Sequence, residues 1–197
     1  MKTDLNNQML CWATRLINDL KLNLPEANNI STTISNEVRS LSTDMKKKLV
    51  ASSPISPKDR LEELVAFQGW MDYAHNIGNN PFITRAQVIT QNYICFVYLG
   101  DGLFKALQAC LPVPKVTGRI CRFLLNNPVR AFRNAIAHSN WRYLSDFSGI
   151  EFWSKKGSDP DEQPVRFEVL QNDLNYWQAL ARCTAYSAFM ALDEQTG

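Results

Sequence analysis

The sequence predicts a mostly α-helical bundle of about six to seven helices, with a small β-hairpin inserted before the last helix. Apolar residues recur at helical spacing through most of the chain. Clusters of proline, glycine and asparagine separate these helical stretches. One stretch, about residues 143–170, is rich in β-branched and aromatic residues around a polar loop, which is typical of a hairpin. We interpret residues 1–197 as a single helical domain, in which 1–52 form an N-terminal helical extension and 56–197 form the core.

The sequence of the first half of the chain predicts four helices. Residues 5–20 form the first, and a second begins near residue 29 and carries one apolar stripe to residue 49. Ser56, Pro57 and Asp59 have the order of an N-cap, a proline at N1 and an acid at N3, so a third helix begins there. Thr84 and Gln87 form a capping box for a long helix that reaches about residue 111. This last helix is apolar on most faces and is predicted to be the most buried element.

Four further elements follow in the second half. Prolines 112 and 114 end the long helix, and a short helix follows from about residue 116. The next helix is predicted to begin with Asn127 as N-cap and Pro128 at N1. After the hairpin, Asn172 or Asp173 caps a last helix. Its apolar face contains small residues that favour close helix packing, and it consists of Leu174, Trp177, Leu180, Ala181, Thr184, Ala188 and Ala191.

The composition is that of a globular domain, with 45% hydrophobic and 20% charged residues in a chain of 197. We expect a cytoplasmic protein that does not enter the membrane, because the N-terminus lacks an apolar signal region and no apolar run approaches the ~20 residues of a membrane helix. The five cysteines lack paired spacing, so we expect reduced core residues. No metal ion or cofactor is expected, because no cluster of metal-ligand residues and no phosphate-loop or nucleophile-elbow motif occurs.

Charge is distributed unevenly along the chain. Residues 73–145 contain eight bases and a single acid, Asp101, a net charge of +7, whereas the rest carries 13 bases and 18 acids, a net charge of −5. The bases are Arg85, Lys105, Lys115, Arg119, Arg122, Arg130, Arg133 and Arg142. A basic middle indicates an anionic partner, and the alternative is that these bases lie scattered over different helix faces.

Residues 126–143 contain the groups that RNA cleavage without a metal ion requires. Such cleavage needs a base for the 2′-OH, an acid for the leaving 5′-oxygen and a cation for the charged phosphorane. His138 can act as acid or base, because an imidazole titrates near neutrality. Arg133 can bind phosphate oxygens in a bidentate manner, and Asn134 lies one turn before His138, where it can orient the imidazole. The other histidine, His75, is predicted to cap its helix or face water.

The spacing of these residues leaves two questions open. One imidazole does not easily fill both proton-transfer roles, so a two-fold dimer that joins two copies of the stretch is expected. On an ideal helix Arg133 and His138 are ~140° apart, whereas Arg130, Asn134 and His138 form one stripe. Either Arg133 reaches round, or the helix ends before His138, or Arg130 is the better phosphate ligand. The structural alternative is that Arg133 only packs between helices and His138 only caps a helix dipole.

The segment of residues 132–138 resembles the R-x4-6-H signature of the HEPN superfamily, in which an arginine is followed by a polar residue, a few apolar residues and a histidine. Arg133, Asn134 and His138 match these positions. The likeness covers about residues 56–192, and the first two helices and the hairpin lie outside the minimal pattern. The resemblance implies a helical bundle that dimerises with its motifs facing each other. It also implies a metal-independent endoribonuclease that leaves a 2′,3′-cyclic phosphate and a 5′-hydroxyl.

Many members of this superfamily act in toxin–antitoxin, phage-defence or CRISPR systems, so the resemblance also implies a toxin or defence role, with an antitoxin protein as a candidate partner. The resulting hypothesis assigns catalysis to Arg133, Asn134 and His138. It assigns RNA binding to Arg119, Arg122, Arg130 and Arg142. The alternatives are a non-catalytic HEPN-like module that binds RNA or protein, and a plain helical dimerisation module.

Overall fold

The computed structural model describes residues 2–53, 56–77, 81–98, 100–155 and 163–193. Most of these residues are helical, and a small antiparallel sheet precedes the last helix, which confirms the predicted fold class. The described residues form ten α-helices, more than the six to seven predicted. The helices are α1 (Lys2–Leu20), α2 (Leu24–Asn28), α3 (Ile30–Arg39), α4 (Thr43–Ala51), α5 (Pro57–Ile77), α6 (Pro81–Tyr93), α7 (Asp101–Cys110), α8 (Val116–Leu125), α9 (Val129–Ala137) and α10 (Gln171–Asp193). The strands are β1 (Trp141–Tyr143), β2 (Gly149–Ser154) and β3 (Val165–Leu170).

Two of the additional helices lie in the N-terminal part. The short α2 begins with a capping box, in which the Asn23 side chain accepts the Glu26 N–H and the Glu26 carboxylate accepts the Asn23 N–H, both at 2.9 Å. The predicted helix from residue 29 is divided into α3 and α4, because Ser42 starts a new helix by accepting the Met45 N–H at 3.4 Å. The apolar stripe runs on across this break, so periodicity alone did not reveal it.

The predicted long helix from Thr84 to about residue 111 was wrong. The helix begins earlier, as α6 at Pro81, passes into a π-helical turn at Ile94–Tyr98, and α7 starts again at Asp101. The first turn of α7 packs closely against the end of α4. A Cβ on Gly102 would lie 2.7 Å from the Ser52 carbonyl oxygen, so α7 approaches the end of α4 more closely than a larger residue allows.

Among the residues whose side chains the structure describes, α10 contributes the largest number of buried positions, whereas the long helix that was predicted to be most buried does not exist as one helix. Helix α10 contacts α3, α5, α6 and α8, and all seven residues of its predicted apolar face are at most 4% exposed. Its small residues allow α3 to pack closely, as expected. At this contact the Ser31 and Ser187 hydroxyls lie 2.7 Å apart, and the Ser35 hydroxyl donates to the Ser187 carbonyl oxygen at 3.1 Å.

The first four helices share one hydrophobic core with the rest of the described chain. Leu16, Ile34 and Leu49 are fully buried in it. The side chain of Glu37 on α3 accepts the backbone N–H groups of Val116 and Thr117 at 3.0 and 2.9 Å. This carboxylate therefore caps the N-terminus of α8 from another helix and complements its dipole.

The β-region is a three-stranded antiparallel sheet in the order β1-β2-β3, whereas a two-stranded hairpin was predicted. The predicted first strand contains the end of β1, a turn and β2, with Tyr143 opposite Ile150 and Ile150 opposite Val169. A Cβ on Gly149 would overlap the Val169 carbonyl oxygen, so the start of β2 requires glycine. Ile150 and Phe152 of β2 are buried, and β2 packs against α9.

All five cysteines are free: Cys95 and Cys121 are buried, Cys110 and Cys183 are half-buried, and Cys11 is exposed. Burial raises the pKa of the Cys95 thiol to about 12 and also raises the pKa of Cys121. These two thiols are therefore protonated core groups. Among the described residues, no helix combines the length and the apolar character that crossing a membrane requires.

Candidate functional site

Three apolar residues fix how α9, which carries the arginine–histidine motif, is rotated. Val129, Phe132 and Ile136 are at most 9% exposed. The ring of Phe132 lies at the centre of an aromatic cluster, with centroid distances of 6.1 Å to Phe96 and 5.5 Å to Phe152. Because this apolar face is held against the core, the polar residues between these positions must face outward or sideways.

The helix ends one residue before His138, which answers one question left open by the sequence. His138 is the C-cap, with φ −108° and ψ 8°. Ser139 follows at φ 58°, its N–H donates to the Ile136 carbonyl at 3.3 Å, and the Asn140 N–H donates to the Ala135 carbonyl at 2.8 Å. These bonds form a Schellman motif, which turns the chain away from the helix axis at the histidine.

The start of this helix differs from the prediction. It begins at Val129 with Pro128 as N-cap, one residue later than expected, and no side chain caps it. At the other end, the Asn140 carbonyl accepts the Trp153 N–H at 3.0 Å. The segment that follows His138 is thus hydrogen-bonded to the sheet.

The His138 side chain is exposed and makes no hydrogen bond or ion pair with a described residue. Its backbone N–H donates to the Asn134 carbonyl at 3.1 Å, the last helical bond of this turn. The imidazole is therefore accessible to a ligand or to another copy of the chain.

Arg133 is not exposed in the same way, because it is held between two helices. Its Nη1 donates to Asn134 Oδ1 at 2.6 Å, and its Nη2 lies 2.5 Å from Asp101 Oδ2 on α7. Asp101 also pairs with Lys105 at 2.9 Å. Asn134 was expected to hydrogen-bond the imidazole of His138, whereas its described partner is Arg133. The motif residues therefore share one end of α9, but the guanidinium is directed toward α7.

Asp101 was not among the residues that the sequence reasoning singled out for the site. Two signals were available: it is the only acid in the basic window, and it lies in the first turn of a helix. Its 32-residue separation from Arg133 leaves no local pattern that joins them.

The four arginines predicted to bind RNA fall into two pairs. Arg119 donates to the Lys21 carbonyl at 2.7 Å and to Glu26 at 3.0 Å, and Arg142 pairs with Glu151 at 2.5 Å. Arg122 and Arg130 are exposed and make no ion pair with a described residue. The charge of the basic middle is therefore offset in part by carboxylates from elsewhere in the chain, and Arg130 is an exposed cation on the same helix as the motif.

Two further features of the described chain lie apart from this motif. A cavity of about 660 Å³ is lined mainly by apolar side chains of α5 and α10, including Leu64, Val65 and Ala179. Nowhere in the described residues do three His, Cys, Asp or Glu side chains converge as metal ligands would. The side chain of His75 lies outside the residues that the structure describes.

Comparisons with known proteins provide no relative from which the function of this site can be inferred. No protein-family model, no curated protein and no solved structure matches the chain. The resemblance to the HEPN superfamily therefore depends on Arg133, Asn134 and His138.

Proposed function

We propose that this protein is a metal-independent endoribonuclease of the HEPN type, which acts in a toxin or defence role. The observation that carries the proposal is the exposed His138 at the end of α9, five residues after an arginine whose guanidinium is held by Asn134 and Asp101. An accessible imidazole and an oriented guanidinium are the two groups that RNA cleavage by internal attack requires.

In the proposed reaction the RNA 2′-oxygen attacks the adjacent phosphorus, and the bond from phosphorus to the 5′-oxygen breaks. One histidine accepts the proton of the 2′-OH, and a second donates a proton to the leaving 5′-oxygen. The products are a 2′,3′-cyclic phosphate and a 5′-hydroxyl. Because each chain supplies one His138, the complete site takes one imidazole from each of two copies related by a two-fold axis.

Arg133 retains the capacity to bind phosphate despite its ion pair. A guanidinium has five N–H donors in a planar fork, and the bonds to Asn134 and Asp101 use one donor on each terminal nitrogen. The side chain is 29% exposed, so part of the guanidinium faces outward. In the transition state these remaining donors would stabilise the charge on the phosphorane.

A second candidate is a non-catalytic HEPN-like module that binds RNA or protein. The Asp101–Arg133 ion pair favours it, because the carboxylate offsets the positive charge that catalysis would use. This candidate predicts that the chain binds RNA, with no cleavage under any condition.

The test is an RNA cleavage assay with EDTA present, in which the parent chain is compared with His138→Ala and Arg133→Gln. Loss of a general acid–base group lowers the rate about 10²- to 10⁴-fold, which we expect for His138→Ala. Loss of a donor that stabilises transition-state charge lowers it about 10²- to 10³-fold, which we expect for Arg133→Gln. Arg166→Gln is the matched control, because Arg166 also pairs with a carboxylate, Glu151 at 2.9 Å, but lies outside the motif. It should cleave like the parent.

Product ends and mixing experiments complete the test. The upstream fragments should end in cyclic phosphate. An excess of His138→Ala chains should inhibit the parent beyond simple dilution, because mixed dimers carry one imidazole. Cleavage by His138→Ala at the parent rate would refute the proposed site, and complete inhibition by EDTA would refute the metal-independent reaction.

A further inference from the structure

A small polar cleft lies between α9 and the adjacent ends of β2 and β3. Its volume is about 100 Å³. Most of its lining is polar, and the lining residues are Asn127, Arg130, Ala131, Asn134, Ser154, Lys155, Val165 and Phe167. We refer to this as the α9–sheet cleft. The sheet side of the cleft belongs to the region that lies outside the minimal HEPN pattern.

The charge of the α9–sheet cleft suits an anion. Arg130 and Lys155 are both exposed at its edge, and no carboxylate lines it among the described residues. Asn127 and Asn134 add amide groups, which can donate hydrogen bonds to phosphate oxygens. Two cations, one on α9 and one directly after β2, together with neutral donors, form an arrangement that can bind a phosphate group.

The size of the cleft excludes a drug-sized molecule, and its described lining offers no open aromatic face for a base. Pockets for such ligands measure roughly 300–1,000 Å³, several times the volume available here. A nucleobase would also need an open aromatic face for stacking. The described lining contains one aromatic residue, Phe167. Its ring is already stacked on Phe152 at a centroid distance of 5.3 Å.

Two residues that line the cleft, Arg130 and Asn134, lie on the same face of α9 as His138. Arg130, Asn134 and His138 follow one another at four-residue spacing, so they share one stripe of the helix surface. Arg130 and His138 are about 12 Å apart along the helix axis, which is more than a single phosphate group spans. A phosphate in the cleft would therefore be a different one from the phosphate attacked at His138, and Asn134 lies between the two.

We infer that the α9–sheet cleft binds a backbone phosphate of single-stranded RNA at a distance from the scissile phosphate, with Arg130 and Lys155 as its two cations. This inference rests on the proposed function for the position of the scissile phosphate. It assigns to the β2–β3 region a substrate contact that the arginine–histidine motif does not provide. It also gives Arg130 a binding role, separate from the role of Arg133 at the reacting phosphate.

The test is binding of a short single-stranded RNA that carries 2′-O-methyl groups throughout, so that attack by the 2′-oxygen is blocked. The affinities of the parent, Arg130→Ala, Lys155→Ala and the double variant are measured over a series of salt concentrations. Lys47→Ala is the matched control, because Lys47 is an exposed lysine on α4 and its loss changes the net charge equally.

We expect Arg130→Ala and Lys155→Ala each to weaken binding about three- to tenfold and to reduce the slope of log K against log salt by about 0.7. Lys47→Ala should change neither quantity. If both cations hold one phosphate, the double variant should lose less than the product of the two single effects. Inorganic phosphate should compete only weakly, because it lacks the rest of the RNA chain.

Several results would overturn the inference. Unchanged affinity and slope in both single variants would do so, as would a parent chain that does not bind the RNA. Fully multiplicative effects would show two separate contacts in place of one shared phosphate. Failure of the proposed function gives a different pattern: the cleft variants weaken binding as expected, but unmodified RNA is never cleaved.

Discussion

The ion pair between Asp101 and Arg133 should couple α7 to α9, and a double-mutant cycle can measure that coupling. The cycle consists of the parent, Asp101→Asn, Arg133→Gln and the double variant. Asparagine has the size of aspartate, and glutamine keeps the polar character of arginine on a shorter side chain. Both substitutions remove the charge, so the cycle reports mainly on the ion pair. Neither substitution touches the apolar face of α9.

The magnitude follows from the geometry and exposure of the two groups. The side chains are 29% and 27% exposed and 2.5 Å apart, so the pair lies between a buried and a surface ion pair. Surface pairs contribute up to about 1 kcal/mol, and hydrogen bonds between charged groups contribute about 1.5–3 kcal/mol. After allowance for solvent screening, we expect a coupling free energy of about 1 kcal/mol.

Asp101 has two other interactions that the cycle must separate from this pair. It lies in the first turn of α7, where a carboxylate complements the helix dipole by about 0.3–1 kcal/mol. It also pairs with Lys105, whose side chain is 58% exposed, a contact of only about 0.3–0.5 kcal/mol. Asp101→Asn alone should therefore destabilise the fold by about 2 kcal/mol, of which about half belongs to Arg133.

Urea unfolding of the four proteins gives the coupling energy directly. Thermal unfolding should show a decrease of about 2–4 °C for each kcal/mol in a chain of this size. A parallel cycle of Asp101→Asn with Lys105→Met is the control and should give the smaller coupling. A coupling between Asp101 and Arg133 below about 0.3 kcal/mol would be additive within error and would refute the account of how Arg133 is held.

Three further predictions concern the surroundings of the motif. Ser139→Gly should stabilise the fold by about 0.5–1 kcal/mol in urea unfolding, because glycine adopts the positive φ of the Schellman motif without strain, and a loss of stability would contradict this. Phe132→Ala should cost about 3–5 kcal/mol, because its fully buried ring fills the aromatic cluster, and a cost below about 1 kcal/mol would show that the core collapses around the gap. Hydrogen bonds from Arg166, and also from Arg142, lower the pKa of Glu151 below its usual value of 4.5. The ionised Glu151 therefore stabilises the fold above pH 4.5, and this stabilisation is lost as the pH falls through the lowered pKa. Glu151→Gln should therefore be less stable than the parent near neutrality, and the difference in unfolding free energy should shrink as the pH falls below 4.5. A difference that does not change with pH would contradict the lowered pKa of Glu151.

Elements that depend on local signals could be predicted from the sequence. The Ser56 hydroxyl accepts the Asp59 N–H at 3.1 Å, as the order of capping residues indicated, and α5 begins at Pro57. The apolar face of α10 also follows directly from its periodicity. The break before α7 could not be found in this way, because the apolar phase continues through the glycines. The new helix packs against Ser52 through Gly102, a contact across 50 residues that no local window contains.

The same limit applies to the candidate site and affects its interpretation. The motif supplies a guanidinium and an imidazole, but a sequence pattern does not determine which neighbours each group meets. Asp101 reaches Arg133 from 32 residues away and directs it toward α7, whereas His138 and Arg130 face the open side of α9. If the proposed function holds, an approaching RNA would meet Arg130 before Arg133, since Arg130 is more exposed and has no described carboxylate partner. Arg133 would act afterwards, with its remaining donors, at a phosphate already positioned by the stripe of residues from Arg130 to His138.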